Sequence, residues 1–192
     1  MWETLVEWDK QLFELLNGQW HNDFLDTVMP YWRSKKAWIP VYVVLAIFFV
    51  MRYRKNSLFI FLSIGLLVLL ADQTSSHLIK PSVERLRPCN DTSLEQIRTL
   101  VQCGNGFSFT SSHASNHFGL SMFLFLVLPS PRSRMLGSIL FLWAASIAYG
   151  QVYVGVHFPL DILAGACLGM TLGFLVYRVF YLKVLYSLAW LE

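Results

Sequence analysis

Five stretches of the chain carry almost no charge: residues 37–51, 57–79, 115–128, 135–152 and 160–181. A helix needs about 20 mainly apolar residues, within a range of about 17–25, to cross a bilayer. The pattern therefore predicts five spanning helices. The first and third stretches are short. The first gains length from residues 31–36, whose lysines reach up to the interface, and the third from residues 111–114, which puts His113 at its start. Ahead of them, residues 3–17 set Leu5, Trp8, Leu12, Phe13, Leu15 and Leu16 against Glu3, Glu7, Asp9, Lys10 and Glu14. That is the pattern of an amphipathic helix lying on a bilayer surface and packing on the bundle, ended by Asn17-Gly18. Residues 23–32 predict a second short piece along the same interface.

Length and composition agree with this reading. At 192 residues the chain fits one domain, with residues 1–36 interfacial, 37–184 a transmembrane bundle, and 81–112 a long loop. It is 55% hydrophobic and only 14% charged, with mean hydropathy +0.49, far from a soluble protein. The expected fold is an all-α integral membrane protein of about five transmembrane helices with an amphipathic interfacial N-terminal helix. No basic apolar leader opens the chain, so the spans themselves are expected to direct insertion. The formal charge of +3 and the lack of a basic strip interleaved with aromatics argue against nucleic acid as a partner. No Cys-x-x-Cys spacing suggests zinc, and no carboxylate cluster suggests a divalent ion, so neither a metal nor another cofactor is expected.

Five spans alternate the connections between two sides. One side receives Arg52, Arg54 and Lys55, residues 129–134 and the C-terminus; the other receives the N-terminal helices, the loop 81–112 and a turn around His157. All chemically suggestive residues fall on the second side. The first side's short basic loops lack acids, which favours placing it in the cytoplasm and the second side facing outward. On that outward side, Cys89 and Cys103 enclose 13 loop residues and are expected to pair, since thiols facing an oxidising compartment often do. Cys167 is expected to be a small core residue.

His157 and Asp161 stand four apart across Pro159, a first-turn helix residue. A carboxylate so placed can hold one imidazole nitrogen and leave the other free. Lys80, Arg85 and Arg87 follow the second span, where they are either snorkelling anchors or a phosphate cradle. Arg87-Pro88 favours the cradle, because proline stiffens the chain where an arginine fork must be aimed. The run Thr110-Ser111-Ser112-His113 precedes the third span and reads as an N-cap cluster that doubles as an anion site. His117, one turn on, reads as an interior hydrogen-bonded histidine. Asp72 lies inside the second span, where it either orients Lys80, lines the site, or bonds a neighbouring helix.

These residues resemble the type 2 phosphatidic acid phosphatase superfamily, marked by Lys-x6-Arg-Pro, Pro-Ser-Gly-His and Ser-Arg-x5-His-x3-Asp. The chain carries Lys80-x6-Arg87-Pro88 in full, then Thr110-Ser111-Ser112-His113, then Gly150-Gln151-x5-His157-x3-Asp161. The resemblance implies a membrane phosphatase in which His157 attacks phosphorus and Asp161 fixes its tautomer. It implies that His113 protonates the leaving oxygen, and that Lys80, Arg87, Ser111 and Ser112 hold the phosphoryl oxygens. Gln151 occupies the place of the family's motif arginine and removes one cation. A charged hydrogen bond is worth roughly 1.5–3 kcal/mol against roughly 0.5–1.5 for a neutral one, so the exchange is expected to slow catalysis about tenfold. Arg85, if turned inward, is expected to compensate in part. The alternative is a catalytically impaired lipid-phosphate-binding relative. The implied substrate is a lipid phosphomonoester or pyrophosphate: undecaprenyl pyrophosphate first, then lipid A phosphate, phosphatidylglycerophosphate and phosphatidic acid. The expected location is a bacterial inner membrane with the site facing the periplasm, and no obligatory protein partner is expected.

Overall fold

The computed structural model describes residues 2–94, 96–128 and 130–184. Its elements are α1 (Trp2–Glu14), α2 (Asp23–Trp32), α3 (Ile39–Tyr53), α4 (Ser57–Asp72), α5 (Lys80–Val83), α6 (Ser112–Val127), α7 (Pro131–Tyr153) and α8 (Pro159–Leu175). No strand occurs among the described residues. A π-helical stretch, Gln73–Ile79, joins α4 directly to α5. The five apolar stretches fall on α3, α4, α6, α7 and α8. Three helical runs are long and apolar enough to cross a membrane: Lys35–Asn90, Met135–Tyr153 and Pro159–Val184. The first run holds both α3 and α4, separated by a turn at Arg54, where φ is 49°. The C-terminal residues 185–192, assigned above to the basic side, lie outside the described residues.

Helix α6 sits at the centre. Its Phe123 and Leu124 join Phe49, Ile60, Leu67 and Val176 in the main apolar core. It meets α8 through a ridge of glycines spaced four apart. A Cβ on Gly169 would lie 2.1 Å from the Ser115 carbonyl oxygen, and one on Gly165 2.6 Å from that of Ser111. Small residues at this spacing let two backbones approach closely inside a bilayer. The close crossing sets the first turns of α6 and α8 side by side, which is what brings His113 near His157. Gly169→Ala is therefore expected to destabilise the fold by about 1–3 kcal/mol, because a backbone carbonyl cannot swing aside and the helices must separate. A thermal unfolding midpoint in detergent equal to wild type would contradict this packing.

The outer faces are apolar: Met51, Leu69, Leu142 and Leu163 are exposed, as expected where helices meet lipid. Cys167 is exposed on α8 rather than buried, because the inner face of that helix is taken by its glycines.

The N-terminal helices pack on the same end of the bundle as the long loop. Asn17 does more than end α1. Fully buried, it donates to the carbonyls of Arg98 (2.9 Å) and Tyr153 (2.7 Å) and accepts the Arg98 N–H at 2.9 Å. Asn22 caps α2 by accepting the Leu25 N–H at 2.8 Å. Arg98 pairs with Asp26, which also accepts the Tyr153 hydroxyl at 2.6 Å.

Candidate active site

Helix α7 ends at Tyr153 and the chain turns at Gly155, whose φ is 84°. A Cβ there would stand 2.6 Å from the Arg98 carbonyl oxygen, so both the conformation and the space call for glycine. Two residues later His157 arrives beside the start of α8. Asp161 caps that helix: its Oδ2 accepts the Phe158 N–H at 2.9 Å and lies 3.3 Å from His157 Nδ1. Its Oδ1 accepts from Arg85 Nη1 at 2.9 Å. Arg85 Nη2 in turn donates to Asp9 Oδ2 at 2.6 Å, and Asp9 Oδ1 accepts the Leu160 N–H at 2.8 Å. A continuous polar chain therefore links His157 to the N-terminal helix.

The tautomer of His157 follows from its neighbours. Arg87 Nη1 lies 3.4 Å from His157 Nε2, and a guanidinium has only donors. Nε2 is thus the lone-pair nitrogen, and Nδ1 carries the proton toward Asp161. Burial pushes the His157 imidazole down to about 4, against the pull of Asp161. The unfolded chain takes up this proton near the ordinary value of 6.5 and the folded chain only near 4. Stability and free lone pair are therefore both present above that window and lost as pH falls through it. We predict that the acid limb of kcat/KM due to His157 lies below pH 6.5, displaced toward 4. A limb at or above the ordinary histidine value in a pH–rate profile would contradict the burial described.

Nε2 faces a cavity of about 280 Å³ lined by Lys80, Arg87, Ser112, His113 and Gln151 together with His157. Lys80 comes from the first turn of α5. Arg87 is held extended ahead of Pro88, with Nε donating to the Gly106 carbonyl at 2.8 Å and Nη1 to that of Val156 at 3.2 Å. Cys89 and Cys103 form the expected disulfide. It lays Gly104 across the Arg87 guanidinium, where a Cβ would meet Nε at 3.6 Å. Ser112 Oγ lies 3.0 Å from Ser75 Oγ and 3.1 Å from Ser76 Oγ.

Several expected site residues sit elsewhere. Ser111 is fully buried as the N-cap of α6, its hydroxyl accepting from Ala114 N at 3.4 Å, so Ser112 rather than Ser111 lines the cavity. Arg85 does turn inward, but it is engaged by two carboxylates and lies 4.0 Å over the Phe158 ring. It does not line the cavity and supplies no replacement cation. Asp72 is also away from the cavity lining. His117 is the interior histidine expected: Nδ1 is 2.7 Å from the His113 carbonyl and Nε2 is 3.2 Å from the Tyr42 hydroxyl.

Three residues have no place in the sequence motifs. Arg33 and Lys35, from the end of α2 and just beyond it, line the cavity. Asp9 anchors the far end of the polar chain. One signal for it exists: Asp9 stands four residues from Phe13, so the two share a helix face, and both are buried. Beside the cavity, an apolar cleft of about 370 Å³ runs between α3, α4 and α6, lined by Tyr42, Phe49, Phe61, Val68 and Leu124. Lys35 lines both spaces.

Comparison with known proteins places this geometry in context. Residues 56–185 match the PAP2 superfamily. A protein of Bacteroides thetaiotaomicron named lipid A 4'-phosphatase is 35% identical over 183 residues, covering 93% of this chain and 80% of its own. One of the same name from Porphyromonas gingivalis is 30% identical, over 93% of this chain and 75% of its own. Among solved structures, a PAP2-type phosphatidylglycerolphosphate phosphatase of Bacillus subtilis superposes with a TM-score of 0.68 at 26% identity, over 91% of this chain and 85% of that one.

Proposed function

The chain belongs to the PAP2 superfamily as a lipid phosphatase, and we propose that it removes a phosphate from lipid A or a closely similar phosphorylated lipid through a phosphohistidine at His157. The observation that carries this reading is the His157 Nε2 lone pair, fixed by Asp161 and facing a cavity lined by cations and by a second histidine. Phosphoryl transfer asks chiefly for positioned positive charge and an in-line nucleophile. Lys80, Arg87 and Ser112 hold the phosphoryl oxygens. His157 Nε2 forms the bond to phosphorus as the bond to the leaving oxygen breaks, and His113 gives that oxygen its proton. His113, now neutral, takes a proton from water, whose oxygen displaces His157 and releases inorganic phosphate.

Undecaprenyl pyrophosphate, ranked first from sequence, moves behind lipid A, because the two relatives described above, at 35% and 30% identity, bear the lipid A 4'-phosphatase name, whereas one named undecaprenyl-diphosphatase is 29% identical over 92% of this chain. The apolar cleft supports a lipid: it takes a chain from the bilayer side while the phosphate lies at His157, with Lys35 at the join. The disulfide supports an outward-facing site, which for a bacterial inner membrane means the periplasm. We further propose that residues 1–192 act as one domain, with 1–36 closing over the site as interfacial helices.

Phosphate release from mixed micelles of lipid A, undecaprenyl pyrophosphate, phosphatidylglycerophosphate and phosphatidic acid tests the ranking. Lipid A is expected to give the highest kcat/KM, and a clear lead for undecaprenyl pyrophosphate reverses the order. Binding of all four without phosphate release would favour the catalytically impaired relative.

A further inference from the structure

Gln151 is fully buried, yet its side chain is only half satisfied. Its Oε1 accepts from Arg33 Nε at 2.9 Å, while its Nε2 is buried without a hydrogen-bond partner. The amide orientation is not arbitrary: Arg33 can only donate, so the oxygen must face it and the NH2 must face away. Gln151 lines the cavity, so an acceptor arriving there would satisfy the orphaned NH2. A buried unpaired donor of this kind costs about 1–3 kcal/mol, and a phosphoryl oxygen would relieve it.

Arg33 reaches the site from the other end of the chain. It is the C-cap of α2, its N–H held by the carbonyls of Met29 and Tyr31. Gly150, the residue before Gln151, makes room for it: a Cβ on Gly150 would already touch Arg33 Cβ at 3.4 Å and Met29 Sδ at 3.7 Å. Among the described residues Arg33 has no carboxylate partner, unlike Arg85 and Arg98. Its Nε is spent on Gln151, which leaves its two terminal nitrogens for the cavity that it lines. Burial, with Arg87 nearby, pulls its pKa below the ordinary arginine value, and a bound anion would offset both effects.

We infer that Arg33, aimed by Gln151, is the third phosphate-binding cation of this site, standing in for the arginine that the superfamily's motif carries at position 151. The charge is kept but its origin is moved: it comes from α2, and the amide that replaced the motif arginine became its support. Arg33 then contacts the phosphoryl group as a binding residue, and Gln151 acts partly by direct donation and partly by positioning. The inference deepens the lipid phosphatase reading and rests on it for turnover, though phosphate binding tests it independently.

The experiment uses the full chain in detergent micelles, with wild type, Arg33→Gln, and Arg33→Gln combined with Gln151→Arg. Two quantities are read on each: kcat/KM for phosphate release from lipid A, and affinity for inorganic phosphate by calorimetry. Thermal unfolding midpoints confirm that each variant is folded. Arg33→Gln is expected to lower kcat/KM by about 10- to 100-fold, the range expected for one charge-assisted hydrogen bond, and to weaken phosphate binding. The double variant is expected to recover most of both, because the motif arginine restores the cation from α7. If Arg33→Gln changes neither quantity, or the double variant is as impaired as the single, the inference is overturned. If the wild type releases no phosphate from any lipid, the phosphatase reading fails. Phosphate affinity alone then decides: weaker binding in Arg33→Gln upholds the inference and equal binding overturns it.

Discussion

His157→Ala is expected to lower kcat for phosphate release by at least about 10³-fold, the scale on which removing a nucleophile acts in other hydrolases. KM should move far less. Lys80, Arg87 and Ser112 reach the cavity from α5, the loop and α6, so the phosphate retains its cradle when the imidazole is gone. Asp161 also keeps two of its donors, the Phe158 N–H and Arg85 Nη1, which limits the structural damage. Steady-state rates at saturating lipid separate the two quantities. A variant that loses affinity but keeps kcat would make His157 a binding group rather than a nucleophile.

The second large effect is expected from Asp161→Asn, about 10³- to 10⁴-fold in kcat by analogy with the loss of an orienting aspartate from a catalytic triad. The carboxylate accepts on both oxygens: Oδ2 from Phe158 N and toward His157 Nδ1, Oδ1 from Arg85. An amide has only one acceptor oxygen. If it faces Arg85, the NH2 opposes two N–H donors and drives His157 to the other tautomer, with its proton in the cavity. If it faces His157, the NH2 opposes the guanidinium and breaks the link to Asp9. Either way the variant should also unfold at a lower temperature than wild type, since a donor is left buried and unpaired. Asp161→Glu, which keeps the charge but moves it, should fall between. An Asn variant with wild-type kcat would remove the orienting role.

The motif residues were legible because their spacing is local. Asp161 caps the helix that begins two residues after His157, and Pro159 marks that start, so four positions of sequence already dictate the pair. The apolar stretches were legible for the same reason: each is a continuous local run with almost no charge. What local pattern could not show was which polar residues meet across the bundle. Arg33 reaches Gln151 over 118 positions and Asp9 reaches Leu160 over 151. In its own helix Asp9 reads as a member of the polar face, and Arg33, just past the end of α2, belongs to no local motif. Arg85 misled for the opposite reason: its place between Lys80 and Arg87 suggested a phosphate ligand, but the carboxylates of Asp161 and Asp9 had the stronger claim on it. Ser111 and Ser112 are neighbours in the motif, and only the helix start at Ser112 decides which hydroxyl caps and which faces the cavity.

The N-terminal helices thus belong to the site rather than to its surroundings. Asp9 of α1 braces Arg85, which braces Asp161; Arg33 at the end of α2 meets Gln151 of α7. Two amphipathic pieces that a hydropathy pattern sets on the bilayer surface hold the polar chain behind His157 on one side and line the cavity in front of it on the other.

The central claim is a covalent phosphohistidine at His157, and rapid quenching with phosphorus-labelled lipid A tests it directly. Quenched in alkali and digested, wild type is expected to yield one labelled peptide containing His157, stable to base, lost in acid and absent from His157→Ala. Phosphate release by wild type with no trapped label, or label carried on a different residue, would contradict it.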